Sequence, residues 1–530
     1  MDLILNGKTL RAEQAAKYGV VDRAVPAEKL LQVAREIVDR FAGKRRKGPK
    51  RRLRGGAFWF SRFAPLRAIV ERKVRKTLSS GAARFYDAPK RALTLCLDAF
   101  RLPPDQGFRN EAKALGELIV SPTAKGLINL YFLTERSKRL GKSEDAVDVE
   151  RALVLGGGVM GAGIAGSMAR KGIRVRLCDL VTDNLLAAKQ RLADVLAKSV
   201  RRKRLKKHEA LAAQDNLAVS TEWGMLGQTD LLLEAVPEVL GLKQKIFADA
   251  IDRGLPAAAI IATNTSSLSI DSMSEGLPSP ERVVGIHFFN PPEKMPLVEV
   301  IRGSRTSDAA VATACRLAVR LGKFPVVVRD RAGFLVNRCL APYMNEAARL
   351  MVEGNAPEFI DQVMRDFGLP MGPARLLDEV GYDVAAKVSE VLSDAFSDRM
   401  TPHPFFAAMV EAGHLGRKKD GGLYDKSGER PGPGRAVLSS LRSTRGGVDR
   451  LATRSEVHQR LIYPMVAEAF RILDEGLVES VDDLDLGLVF GMGFPPFTGG
   501  ISHYAKREGM KVIVDALRAL AREHGNRFEP

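Results

Sequence analysis

Cysteine is scarce in this sequence: Cys96, Cys178, Cys315 and Cys339 are scattered through 530 residues and form no CxxC pair. That argues against a disulfide-stapled fold and leaves buried free thiols in a reducing compartment as the simplest reading, with no metal site expected. No apolar run reaches the ~18 residues that a membrane-spanning helix needs. The N-terminus lacks the basic-then-apolar order of a signal peptide, so a cytoplasmic chain is expected. Aromatic residues are few, at 6%, and none interleaves the two basic runs, KRRKGPKRRLR at 44–54 and RRKRLKK at 201–207. Part of the formal net charge of +19 sits in these runs. They read as solvated surface or linker that could attract phosphate-bearing ligands or an anionic membrane face. Without a recognition motif beside them, nucleic acid is not an expected partner. Apolar residues, by contrast, are plentiful at 45%, enough to fill a core in each of the three or four domains expected at about 150 residues apiece.

The most informative stretch is 151–180, RALVLGGGVMGAGIAGSMARKGIRVRLCDL. A short apolar strand breaks into glycines, a helical pattern of small residues follows, and a second strand ends on an acid. Gly156, Gly158 and Gly161 fall at the G-x-G-x-x-G spacing. The first permits a tight turn, the second lets a pyrophosphate approach bare backbone, and the third lets helix and strand pack closely. The helix that opens there offers unpaired N–H groups and the positive end of its dipole to phosphate. Asp179 lies 21 residues after Gly158, where a carboxylate can accept from both hydroxyls of an adenosine ribose. Strand, helix and acid together predict a dinucleotide site. Asp179 would repel a 2'-phosphate and is followed by Leu180 and Val181, which favours NAD over NADP, although Arg174 and Arg176 on the preceding strand are cations.

Residues 1–43 read as a short strand, a helix from about Arg11 to Tyr18, a turn at Gly19 and a helix after Pro26, too little to enclose a core alone. The L-x-G-x-x-x-x-A-x-x-A-x-x-x-G-V-V-D-x-x-V-P pattern here resembles the tail end of an enoyl-CoA hydratase (crotonase) domain. In that family the catalytic glutamates and oxyanion-hole glycines lie upstream of this segment. The chain begins after them, and no hydration of crotonyl-CoA by this chain alone is expected. Residues 44–149 change character and read as a basic, helical linker that docks onto its neighbours. Leu127, Leu130 and Tyr131 share one face of its last helix, with Thr134 interrupting the stripe. From 150 to 330, apolar strands alternate with helices (ALVL, IRVRL, LLLEAV, AIIATN, VVGIHFF, LVEVI, PVVV), the signature of a doubly wound sheet. Beyond 331 helices dominate and an internal repeat is visible. At an offset of 122, Pro342/Pro464, Glu346/Glu468, Ala347/Ala469, Gly354/Gly476 and Asp361/Asp483 match, which predicts two packed copies of one helical domain, 331–430 and 431–530. The segment 416–434, GRKKDGGLYDKSGERPGPG, is a glycine- and proline-rich connector between them.

Oxidising an alcohol by hydride transfer needs a base on the hydroxyl, a partner that stabilises the resulting cation, and donors that hold the substrate. In VVGIHFFNPPEKMPLVEVI, His287 ends a strand pattern, a turn follows at Asn290-Pro291-Pro292, and the chain returns through Glu299. Glu299 is the anomaly, because a carboxylate among Val, Leu and Ile is costly to bury without a partner. A hairpin-like return of 12 residues could bring it to His287, and with a dinucleotide site in the same domain the two read as a catalytic pair. The bland alternative is a satisfied core histidine and a solvent-facing edge glutamate. Ser266, in ATNTSS at 262–267, could bond the substrate oxygen or the cofactor, or cap a helix. Glu238 follows another strand end, with Lys243 about a turn and a half further on. A cofactor role and a solvated surface pair are even readings for those two. Asn337, in GFLVNR at 333–338, falls at the start of the helical part and reads otherwise as a capping or interdomain residue.

Taken in order, G-x-G-V-M-G-A-G-I-A, E-A-V-P-E, N-T-S-S-L, H-F-F-N-P-P, M-P-L-V-E-V-I and G-F-L-V-N-R resemble the 3-hydroxyacyl-CoA dehydrogenase family. The duplicated helical part, the linker and the crotonase-like tail narrow the resemblance to the alpha-subunit type of the fatty acid oxidation multienzyme. The resemblance implies His287 as base with Glu299 as its partner, and Ser266 and Asn337 against the substrate. Met160, Asp179, Glu238, Lys243, Ser266 and Asn290 would border NAD, and Tyr504 would sit near the acyl-CoA. Ala332 stands where the family has proline before Gly333, and the connector reads GLY where the family has GFY. The expected fold is α/β plus all-α: a Rossmann-like doubly wound sheet followed by two duplicated helical domains and preceded by a helical linker. The expected activity is NAD-dependent oxidation of a 3-hydroxyacyl-CoA to the 3-ketoacyl-CoA, in an oligomer that could engage a thiolase beta subunit. Two rivals are a bifunctional enzyme whose hydratase half is supplied elsewhere and a non-catalytic scaffold for a thiolase. Intact His287, Glu299, Ser266 and Asn337 speak against the scaffold.

Overall fold

The computed structural model describes residues 2–5, 7, 9–42, 63–224, 226–444 and 450–530. The basic run at 44–54 and residues 55–62 of the Trp/Phe-rich piece after it lie outside the described residues. The chain divides into two compact units, Met1–Ala124 and Lys125–Pro530.

The first unit is helical, with helices at Ala12–Tyr18, Leu30–Phe41, Ala64–Leu78, Asp87–Asp98 and Pro104–Ile119. Gly19, in the left-handed conformation with φ 76°, closes the first of these, as glycine does at helix ends. A small core forms from Leu78, Leu93 and Leu97. The strand expected at the N-terminus is instead one helical turn, Asp2–Leu5. Among the described residues of this unit no strand exists to pair with it, and an unpaired strand leaves its backbone groups unsatisfied.

The second unit is built on an eight-stranded sheet in the order β3-β2-β1-β4-β5-β6-β7-β8. The strands are β1 Arg151–Leu155, β2 Arg174–Cys178, β3 Leu217–Ser220, β4 Leu231–Glu234, β5 Ile260–Thr263, β6 Val283–Phe288, β7 Leu297–Arg302 and β8 Phe324–Arg329. The first six are parallel, and β7 and β8 run against them. Seven of the eight were expected. The eighth, β3, lies at the sheet edge with only Leu217 buried, so no apolar run marks it. Along β1, Ala152 and Val154 enter one apolar core while Leu153 and Leu155 enter the other, so both faces of the sheet are covered by helices.

The helix Pro122–Leu140 packs into this second unit along Gly126, Leu130, Leu133 and Ser137. That is not the stripe expected from periodicity: Leu127 and Tyr131 face solvent, 37% and 60% exposed. Close backbone approach decides the face. A Cβ on Gly126 would press into the backbone of Gly499, and Ser137 Oγ donates to the Pro325 carbonyl at 2.7 Å.

The helical part has the expected duplication. Val336–Val352 of the first copy packs against Arg454–Asp474 of the second, and the ion pairs between them are reciprocal. Arg338 binds Glu468 at 2.6 Å and Glu475 at 2.7 Å, while Arg460 binds Glu346 at 2.6 Å and Glu353 at 2.6 Å. Each partner is offset by 122 from its counterpart in the other pair. One matched position is corrected: the structural counterpart of Asp361 is Asp485, not Asp483. Both are buried at the fifth position of their helices, and both cap the start of the next helix. Asp361 accepts from Ala374 N at 2.9 Å, and Asp485 from Ser502 N at 2.8 Å. Two extra residues between Gly476 and Asp485 shift the register. The connector at 416–434 is folded onto its neighbours. Asp378 accepts from Leu423 N and Tyr424 N at 2.9 and 2.7 Å, and the Tyr424 hydroxyl donates to Asp361 at 2.8 Å.

Candidate active site

The glycine turn between β1 and the helix Val159–Ala169 has the three properties its spacing implies. Gly156 has φ 102°, and a Cβ there would strike the Ala235 carbonyl at the end of β4. A Cβ on Gly161 would strike the Gly156 carbonyl, so helix and turn pack at glycine distance. In front of Gly158 lies open space, with nothing within 4 Å of a Cβ position. Gly158 is also the N-cap, and no side chain bonds the first helical N–H groups. These features fit a diphosphate. Asp179, at the end of β2, is held by Gly157 N at 2.6 Å, Val181 N at 2.8 Å and Asn184 Nδ2 at 3.2 Å. Arg176 is turned away to the Trp223 carbonyl at 3.3 Å, and Leu180 and Val181 are exposed and uncharged. Neither residue that follows the acid supplies a cation for a 2'-phosphate. Met160, half-buried, stands in the first turn of the same helix.

Glu238 and Lys243 are not a solvated pair. Lys243 is 1% exposed and bridges Glu234 at 2.9 Å and Glu238 at 2.8 Å. Glu238 in turn accepts from Thr265 Oγ1 and from Ser266 N at 2.9 Å. Burial pushes the Glu238 carboxyl up, but the Lys243 charge and these hydrogen bonds outweigh it and hold it below the usual carboxylate range. Asn337 Nδ2 donates to the Ser266 carbonyl at 3.2 Å, while the Ser266 hydroxyl has no partner among the described residues. Lys243, Glu238, Ser266 and Asn337 therefore form one continuous chain. Sequence reasoning passed over Glu234, although an acid inside the apolar run LLLEAV carried the same signal as Glu299. It also missed Lys387, whose Nζ reaches from the helical part to the Glu238 carbonyl at 2.6 Å.

His287 and Glu299 lie directly opposite each other in the antiparallel β6–β7 register. His287 Nδ1 sits 2.6 Å from Glu299 Oε2. The second carboxylate oxygen accepts from Leu335 N at 3.1 Å and Val336 N at 2.9 Å, at the start of the helix that carries Asn337. Glu299 is fully buried and fully bonded, which answers the cost that made it anomalous. The turn that delivers these N–H groups passes through Gly333 at φ 72° and Phe334 at φ 47°. An aromatic residue in the left-handed region is strained, and Phe334 is held there with its ring 6.0 Å from that of His287. No sequence pattern announces such a residue. With Nδ1 occupied, His287 has Nε2 free to exchange a proton.

Asn290 lies exposed in the turn after β6 and Phe289. Tyr504 is elsewhere in its contacts: 4% exposed, with its hydroxyl 3.3 Å from His458 Nε2 and its ring against Phe367 and Phe494. It packs in the helical core, because an aromatic cluster there offers its ring more burial than a surface position would.

Residues 151–331 match the family model for the 3-hydroxyacyl-CoA dehydrogenase NAD-binding domain, and 333–426 match that family's C-terminal domain. The fatty acid oxidation complex subunit alpha of Vibrio parahaemolyticus is 37% identical over all of this chain and 74% of its own length, and that of Vibrio vulnificus is 38% identical over the same shares. The chain belongs to the 3-hydroxyacyl-CoA dehydrogenase family. Among solved members, the 3-hydroxybutyryl-CoA dehydrogenase of Escherichia coli is 28% identical with a TM-score of 0.64, covering 72% of this chain and 97% of its own. The dehydrogenase part of multifunctional enzyme 1 from C. elegans is also 28% identical, with a TM-score of 0.52, covering 76% and 96%. This 3-hydroxyacyl-CoA dehydrogenase thus couples an NAD-binding sheet domain to the family's helical domain, and it oxidises 3-hydroxyacyl-CoA with NAD.

Proposed function

We propose that His287 is the base of this oxidation and that Glu299 holds it in place. The observation that carries the assignment is the double engagement of Glu299, one oxygen on His287 and the other on the first turn of the Asn337 helix. His287 Nε2 removes the proton from the 3-hydroxyl of the acyl-CoA, leaving the 3-ketoacyl-CoA. NAD, when bound, supplies the acceptor for the hydride that leaves C3. Glu299 fixes the tautomer by accepting from Nδ1–H and stabilises the imidazolium that forms. The Ser266 hydroxyl and Asn337 orient the substrate oxygen. Met160, Asp179, Glu238, Lys243, Ser266 and Asn290 border the dinucleotide, with Gly156, Gly158 and Gly161 against its diphosphate. Tyr504 lies near the acyl-CoA.

The reaction belongs to fatty acid beta-oxidation, in a cytoplasmic oligomer that pairs with a thiolase beta subunit. The matching division of the chain is a crotonase-like tail (1–43), a basic helical linker (44–149), the NAD-binding domain (150–330) and two helical copies (331–430 and 431–530). NADH formation across a chain-length series of 3-hydroxyacyl-CoAs tests the function. Turnover with NAD and little with NADP is the expected result, and turnover with neither would end it.

A further inference from the structure

A cavity of about 430 Å³ lies between the duplicated helices and is lined by none of the residues assigned to the active site. Asn345, Glu346 and Arg349 line it from Val336–Val352, Pro464 from Arg454–Asp474, and Arg399 and Arg527 from the flanking segments. Its walls set polar groups beside Pro342, Pro464 and Phe528, and two of the polar atoms lack partners. Asn345 is 6% exposed, and its Oδ1 bonds nothing. Arg349 Nε is buried and also unbonded: the nearest carboxylate oxygen, Glu346 Oε2, is 3.8 Å away and is already taken by Arg527 Nε at 2.9 Å.

The charge balance points the same way. The ion pairs around the two helices join Arg338, Arg349, Arg399, Arg460, Arg471 and Arg527 to Glu346, Glu353, Glu468 and Glu475. Six cations against four anions leave two positive charges over, and the cavity wall carries three of the guanidiniums against one carboxylate. Burial and the neighbouring Arg527 charge both press on Arg349 and lower its proton affinity. Water could bond the orphan atoms but would leave the charge, whereas an organic oxyanion that also carries a hydroxyl answers both: its anionic oxygens accept from Arg349 Nε and its hydroxyl donates to Asn345 Oδ1. An inorganic ion would not fill the space, which is of the size that holds small organic ligands.

We propose that this cavity binds a small organic oxyanion, a phosphate ester or a carboxylate, between Arg349, Arg399, Arg527 and the Asn345 amide. The probes are inorganic phosphate and citrate, titrated against the full chain with its dinucleotide site saturated by NAD and ionic strength matched with sodium chloride. A saturable rise in unfolding temperature is expected. Half-saturation should weaken by about tenfold in Arg349→Met and in Asn345→Leu, as loss of one charge-assisted contact does, while dehydrogenase turnover stays unchanged. Tighter binding of citrate assigns the natural ligand to the carboxylates, and tighter binding of phosphate to the phosphate esters. Absence of a saturable shift in the wild type overturns the proposal. So does unchanged half-saturation in the variants, and if Arg349→Met does not fold, Asn345→Leu alone decides.

Discussion

Glu299 faces His287 across the antiparallel β6–β7 pairing, 2.6 Å from its Nδ1, and with its other oxygen it caps the helix Val336–Val352 that opens the helical part. One buried carboxylate thus sets the orientation of the base and the position of Asn337 together.

Glu299→Gln keeps the shape but not the charge. It should lower kcat by about 10²- to 10⁴-fold, the range seen when a histidine loses its orienting carboxylate. Unfolding should change less than in Glu299→Leu, which also orphans Leu335 N and Val336 N. Steady-state kinetics and urea denaturation of both variants separate the two roles. Equal kcat in Glu299→Gln and wild type would remove Glu299 from the chemistry.

Asp179→Ser removes the acceptor for the ribose hydroxyls and the repulsion of a 2'-phosphate. The KM for NAD should rise by about 10- to 100-fold, and the preference for NAD over NADP should shrink. An unchanged cofactor ratio would place the ribose elsewhere.

Burial raises the carboxyls of Asp361 and Asp485 from 3.8 to about 6 in the folded state. The folded chain therefore holds more protons than the unfolded chain between those values. Their contribution to stability is full below about pH 4 and is lost as pH rises through about 6, on the order of 2–3 kcal/mol each. In the double variant Asp361→Asn, Asp485→Asn, this component of the slope should vanish. Urea midpoints at several pH values check it, and an identical slope in wild type and double variant would refute it.

Arg338 is fully buried, and Arg460 nearly so. Arg338→Met and Arg460→Met should each cost about 3 kcal/mol, because each removes the buried guanidinium closest to a buried carboxylate, Glu468 or Glu346, whose remaining arginine partners are more exposed. The two losses should be similar, since the pairs are related by the repeat. A loss confined to one of them, read from denaturant unfolding, would show that the two copies are not energetically equivalent.

Much of the site was legible because its residues break local rules. A carboxylate in an apolar strand and three glycines at fixed spacing each violate a pattern that packing alone would keep, and both marked function. Glu234 broke the same rule and was passed over. What stayed hidden depends on tertiary approach. The buried face of Pro122–Leu140 is chosen by backbone contact at Gly126, not by its largest apolar side chains. Phe334 adopts φ 47° because the turn must aim two N–H groups at Glu299, and no neighbour in sequence reports that. The two-residue shift between Asp361 and Asp485 escaped a repeat aligned at constant offset.

The most direct test is NADH formation from a 3-hydroxyacyl-CoA by His287→Ala, measured beside NAD binding to the same variant. Turnover should fall by at least about 10²-fold with NAD affinity retained, as expected when a general base is lost. Wild-type turnover in His287→Ala would contradict the assignment of the base.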